Sequence, residues 1–204
     1  MFDTIATDQE IETTVAAMKE RNFEAIVLST RVEALDKIKA MIPDGASVIN
    51  GSSQTLQEIG YIDYLKSDHH DWENLHELIL AEKDPAKQAL LRKQATISDF
   101  YLGSVHGLSQ TGEMVIASNT GSQLPSIVFN AMNLIFVVGA QKITQSLSDS
   151  LKRIDEYVFP LENERITKLY GSGTLHAKTL ILQRENPKLG RKVTVLIVKE
   201  KLGY

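Results

Sequence analysis

Four stretches of the sequence combine chemically capable side chains with suggestive spacing. Val48-Ile49-Asn50-Gly51-Ser52-Ser53-Gln54-Thr55 runs from an apolar β-type segment through a glycine into hydroxyls where a helix should start. Backbone N–H groups at a helix start attract anions, and Ser52, Ser53 and Thr55 add hydroxyl donors. A phosphate or carboxylate would suit this loop, and so would plain N-capping of the helix by a serine. No Gly-Lys-Ser/Thr follows, so it is neither a P-loop nor the dinucleotide fingerprint. In Gly103-Ser104-Val105-His106-Gly107, an extended backbone would turn Ser104 and His106 to the same face. That permits a nucleophile–base pair, but no Gly-x-Ser-x-Gly elbow exists in the chain, and a hydrogen-bonded or ligand-contacting His106 is the simpler reading. Thr111-Gly112-Glu113 and Asn119-Thr120-Gly121-Ser122 are dense in small polar groups that let backbone approach a ligand. Glu113, if desolvated, would be a general base or carboxylate nucleophile; otherwise it is a solvated acid at a hairpin tip.

Other clusters have simpler readings. On a helix, His69, Glu73 and His76 would share one face and could hold a divalent cation. Charged helix faces are usually solvated, and no metal is assigned. Gly171-Ser172-Gly173-Thr174 follows a helical stretch and reads as a helix C-cap. Arg153, Glu156, Glu162, Glu164 and Arg165 read as a solvated face with local ion pairs. Trp72 reads as packing.

The elements that must carry these residues follow from hydrophobic period and turn chemistry. Ile11, Val15 and Met18 have helical spacing, with Asp8 as the expected N-cap. Phe23–Ser29 and Ala46–Asn50 are short β-type runs that enclose a helix over Thr30–Met41, and a further helix runs to about Leu65. This alternation predicts an α/β fold with a Rossmann-like, mainly parallel sheet flanked by helices. Asp71–Gln94 is helix-prone and interrupted at Asp84-Pro85, where proline should open a new helix. Val105–Gln110 and Glu113–Ser118 predict a hairpin around Thr111-Gly112. Leu134–Gly139 is the most apolar run and the expected central strand, and a helix is predicted over 146–157. Lys178–Arg184 and Lys192–Lys199 flank a turn rich in Pro, Asn and Gly and predict a C-terminal β-hairpin. The chain reads as a single domain: an N-terminal helix over 1–22, a core over 23–170 and the C-terminal hairpin over 171–204.

Composition narrows the function. The chain has 204 residues with 22 Lys and Arg against 26 Asp and Glu, a net charge of −4. That balance disfavours nucleic acid as a partner. There is no cysteine, which removes disulfides, thiolate metal sites, thiol nucleophiles and cysteine-held iron–sulfur clusters. No apolar run approaches membrane-span length and the first residues lack a signal pattern, so a cytoplasmic location with no membrane partner is expected. The amphipathic first helix and the strand-rich C-terminus are the faces a homodimer would use.

The order of motifs adds a resemblance. Asn50–Gly60, then Ala95-Thr96-Ile97-Ser98-Asp99, then Gly107–Gly112 and Ala117-Ser118-Asn119, then Leu134–Gly139 with Gln141-Lys142-Ile143, and finally Arg153–Arg165 together resemble the LUD-domain, or lactate-utilisation, family. The resemblance implies a fold of the NagB/RpiA/CoA-transferase-like kind. It also implies a ligand at Gly51, Ser52, Ser53 and Thr55, faced by the Thr111-Gly112-Glu113 turn and the 119–123 loop. Family members tied to lactate oxidation act beside iron–sulfur partners. The expectation is thus a protein that binds a small anionic ligand and serves as an accessory component of lactate or organic-acid utilisation, with protein partners from such a system. The alternative is a stand-alone enzyme on a sugar phosphate or acyl-CoA, using Glu113 with help from His106. The cofactor is left unknown.

Overall fold

In a computed structural model, which describes residues 2–204, six parallel strands form the central sheet. They are β1 (Glu24–Leu28), β2 (Ser47–Asn50), β3 (Glu73–Asn74), β4 (Phe100–Gly103), β7 (Asn133–Gly139) and β10 (Lys192–Val198), in the order β1-β10-β7-β4-β2-β3. Every neighbouring pair is parallel. A second sheet of four strands has the order β8-β5-β6-β9, from β5 (Gly107–Ser109), β6 (Met114–Ser118), β8 (Ile143–Thr144) and β9 (Lys178–Leu182). The expected hairpin is the antiparallel β5–β6 pair.

The most apolar run is a central strand, and its alternation explains why. Leu134, Phe136 and Val138 join one core cluster, with Ile11 and Met18 of helix α1 (Asp8–Glu20) and Leu108, Met114 and Ile116 of the second sheet. Ile135 and Val137 join the other, with Ile38 of helix α2 (Arg31–Met41), Leu56 of α3 (Gln54–Glu58) and Tyr61 of α4 (Tyr61–Leu65). A strand buried on both faces needs apolar residues at every position, as in parallel sheets.

Helix starts follow capping chemistry, with one shift. Thr7, not Asp8, caps α1, in a reciprocal capping box with Glu10. Asp84 caps α6 (Pro85–Gln94), with proline in the first turn as expected. Helix α5 (Leu75–Ala81) begins after β3, so Glu73 lies on a strand, His69 precedes it, and the shared helical face with His76 does not form. Among the described residues no three His, Asp or Glu side chains are grouped as a metal ion requires. After α7 (Leu147–Arg153), the last helix, α8 (Phe159–Tyr170), ends at Gly171, a left-handed C-cap at φ +75°. Among the described residues no helix is long and apolar enough to cross a membrane.

The two C-terminal strands form, but their hydrogen bonds correct the expected hairpin. β9 pairs antiparallel with β6, whereas β10 lies between β1 and β7. Turn chemistry at Asn186–Gly190 marks the reversal. The nearly continuous burial of Val193–Val198 draws that strand into the centre of the parallel sheet instead.

Candidate functional site

A cleft of about 430 Å³ opens at the carboxyl ends of β2, β4 and β7. This is where ligands of open parallel sheets collect. Gly51, Ser52, Ser53 and Thr55 line it. Ser53 caps α3, its Oγ accepting the Leu56 N–H at 3.2 Å. That helix has only five residues, so it brings little dipole to the cleft, and the capping reading accounts for the serine. Gly51 is needed for space: a Cβ there would lie 2.7 Å from the Tyr101 hydroxyl, with the next nearest atom at 3.8 Å. Gly51→Ala should therefore destabilise the protein by about 1–3 kcal/mol. Combining it with Tyr101→Phe should recover most of that loss. Chemical denaturation of the two single variants and the double variant checks it; additive losses would mean that the clash is not what requires glycine.

The facing wall comes from the end of β6 and the loop after it. Asn119, Thr120 and Ser122 line the cleft, while Gly121, at φ +80°, makes the turn behind them. Asn119 Nδ2 donates to Thr174 Oγ1 at 3.1 Å and ties this loop to the segment after α8.

The other expected wall residues lie elsewhere. Thr111, Gly112 and Glu113 sit at the far end of the β5–β6 hairpin, away from the cleft. There Arg21 Nη2 meets Glu113 Oε1 at 2.5 Å, and Arg21 Nε donates to the Thr111 carbonyl at 2.5 Å. Burial would raise the Glu113 pKa, but the Thr111 hydroxyl and the Arg21 charge outweigh it and hold the carboxyl below its usual range. Glu113 is thus an ionised partner for α1 and is not positioned as the cleft's base.

His106 does line the cleft, as does Ser104. No hydrogen bond joins them: Ser104 Oγ accepts from another group, and His106 Nδ1 accepts the Ala117 N–H at 3.0 Å. The neutral ring therefore carries its proton on Nε2. Burial, then the charges of Lys142 and Arg153, pull the His106 pKa down to about 3. At neutral pH this ring is a hydrogen-bonding group and not a proton acceptor.

Two buried cations lie here: Lys142 lines the cleft, and Arg153, expected on a solvated face, is buried behind it. Lys142 is 2% exposed and lies on the 3₁₀ turn Ala140–Lys142 directly after β7. Its Nζ donates to Thr55 Oγ1 at 2.9 Å and to Ser104 Oγ at 3.1 Å. No carboxylate pairs with it among the described residues. Burial, reinforced by Arg153, pulls its pKa down to about 7. Arg153 is fully buried rather than on a solvated face. Its Nη1 donates to the His106 carbonyl and its Nε to the Phe2 carbonyl at 3.3 Å, while Nη2 has no partner among the described residues. Burial lowers its pKa to about 10, so it stays charged at neutral pH.

The last residues complete the wall. Thr55 Oγ1 and Gln141 Nε2 each donate to the Leu202 carbonyl at 3.1 Å. Gly203 N–H donates to Glu58 Oε2 at 2.8 Å. The Tyr204 hydroxyl bonds to Glu162, which also holds Arg165 through two contacts of 2.7 Å. Burial, then the Glu162 carboxylate, raises the Tyr204 pKa.

The LUD domain family model matches residues 11–186. The chain belongs to the LUD domain family. The matched span contains β2, β4, β7, Lys142 and Arg153, though not β10 or Tyr204, which lines the cleft. A DUF162 family protein from Deinococcus radiodurans, solved as a crystal structure, is similar to this LUD domain at TM-score 0.55 and 12% identity, over 96% of this chain and 99% of that one. At that identity the likeness speaks for the fold. No curated protein matches the chain.

Proposed function

We propose that this LUD domain binds a small anionic ligand in the cleft and serves as an accessory component of lactate or organic-acid utilisation in the cytoplasm. One observation carries the ligand reading: the Lys142 amine is buried at the cleft with only hydroxyl partners among the described residues. A buried ammonium without an anion is costly, and a ligand carboxylate or phosphate would supply the missing charge. Arg153 adds a second buried cation nearby. The pathway reading rests on the family name. Its NagB/RpiA/CoA-transferase-like kinship belongs to the same reading, supported by a cleft at the strand ends.

Isothermal calorimetry with phosphate, lactate, pyruvate and 2-oxoglutarate tests the ligand reading. At least one should bind, and Lys142→Met should abolish the binding. Protonated Lys142 is the form that attracts an anion. Affinity should therefore fall as pH rises through about 7, by at most about tenfold per unit, with proton uptake on binding. Binding unchanged in Lys142→Met would overturn the reading.

A further inference from the structure

We propose that Lys142 is a nucleophile that captures the carbonyl carbon of an anionic aldehyde or ketone as an imine. This deepens the anion-binding reading and rests on it. The geometry carries the idea. The amine lies at the end of a central strand, in a cleft large enough to enclose an organic ligand. Its hydrogen-bond partners are two hydroxyls, Thr55 Oγ1 and Ser104 Oγ, and among the described residues no ion pair locks it in the ammonium form. The nearest carboxylate influence comes from Glu58, whose Oε2 is occupied by the Gly203 N–H. Arg153 disfavours a second positive charge beside it. Desolvation and a neighbouring cation are the two devices that turn a lysine into a nucleophile near neutral pH, and both are present.

Because the reacting Lys142 amine is uncharged, the substrate's anionic group needs a different cation to hold it. Arg92 lines the cleft, is exposed, and has no carboxylate partner among the described residues; it supplies the cation for a carboxylate or phosphate. The chemistry balances without a redox partner. The Nζ lone pair forms a C–N bond to the carbonyl carbon while the carbonyl oxygen takes one amine proton. The carbinolamine then expels that oxygen with the second amine proton as water, leaving C=N. His106, neutral with its proton on Nε2, is a donor on the cleft wall and not a competing base.

Borohydride reduction makes the step visible. The whole protein is incubated separately with pyruvate, 2-oxoglutarate and glyceraldehyde 3-phosphate, reduced, and analysed by intact and peptide mass. The first two probes represent oxo acids and the third a phosphorylated aldehyde. The expected result is a gain equal to the probe less one oxygen atom, mapped to Lys142 in the wild-type protein. Lys142→Arg, which keeps the charge, should lose it. Yield should rise between about pH 6 and 8, opposite to the pH trend of simple anion binding. Adducts confined to other lysines, or none at all, overturn the proposal. Calorimetry of the same probes, and of phosphate and lactate, which offer no carbonyl to capture, separates the two readings. Heat of binding without an adduct sinks the imine and leaves the anion site standing. An adduct on Lys142 with no reversible binding of phosphate, lactate, pyruvate or 2-oxoglutarate sinks the anion reading and keeps the imine. Neither signal removes both. Because the adduct is mapped in the wild-type chain, the test survives even if Lys142→Arg fails to fold.

Discussion

Arg153→Ala is expected to cost about 3–5 kcal/mol of stability, the range for breaking a buried polar network while leaving a cavity. The guanidinium is wholly buried and joins segments far apart in the chain: the Phe2 carbonyl, the His106 carbonyl and the Tyr157 ring, whose centroid is 5.1 Å away. Removing it leaves the His106 carbonyl without its donor and opens a void beneath β5. An unpaired buried carbonyl carries its full desolvation cost. Lysine should not rescue the site, because a single ammonium cannot reproduce a planar fork that reaches two carbonyls. Arg165→Ala is the control. That side chain is partly exposed and pairs locally with Glu162, so its loss should cost about 1 kcal/mol or less. Urea denaturation of the three variants decides the matter. A loss under about 1 kcal/mol in Arg153→Ala would show that the guanidinium does not hold these segments together.

What the sequence revealed, and what it concealed, divides along physical lines. β7 and the β5–β6 hairpin were legible because period and turn residues are local signals. The Gly51–Thr55 loop was legible for the same reason. The destination of β10 is masked by the turn chemistry around Pro187, which points to a hairpin, although the strand's own composition points elsewhere. Val193–Val198 is apolar at nearly every position, the mark of a strand buried on both faces. β9 exposes Lys178 and Thr179 and belongs at an edge. Lys142 had a readable signal too, since it follows the most apolar strand by three residues, at the end where parallel sheets bind ligands. Arg153 had none: the apolar positions Leu147, Leu151 and Ile154 define a helix face without showing that an arginine beside them turns inward. Glu113 could not be placed from its neighbours either, because the partner that fixes it, Arg21, is 92 positions away.

Lys142 should also imprint its buried amine on the pH dependence of folding. Its ordinary pKa of 10.5 falls to about 7 in the folded protein, chiefly through burial. Between those values the unfolded chain holds a proton that the folded chain has released. Stability rises with pH wherever the unfolded state binds more protons, so this group should stabilise the fold increasingly from about pH 7 to 10. Below about pH 7 both states are protonated and the slope from this residue vanishes, with the ammonium then buried at full cost. The whole span corresponds to about 5 kcal/mol at most, given roughly 1.4 kcal/mol per unit. Lys142→Met removes the titrating group while keeping an unbranched apolar stem, and its stability should lose this rise. The comparison is the difference in unfolding free energy between wild type and Lys142→Met at about pH 7 and about pH 9.5 in ligand-free buffer. A difference that does not change across that interval would mean that Lys142 titrates normally in the fold. A normal lysine would be ammonium at neutral pH, and the nucleophile reading would fall with it. A steep difference would show that the cleft holds an amine already stripped of solvent and charge, the state from which both anion-driven protonation and attack on a carbonyl begin.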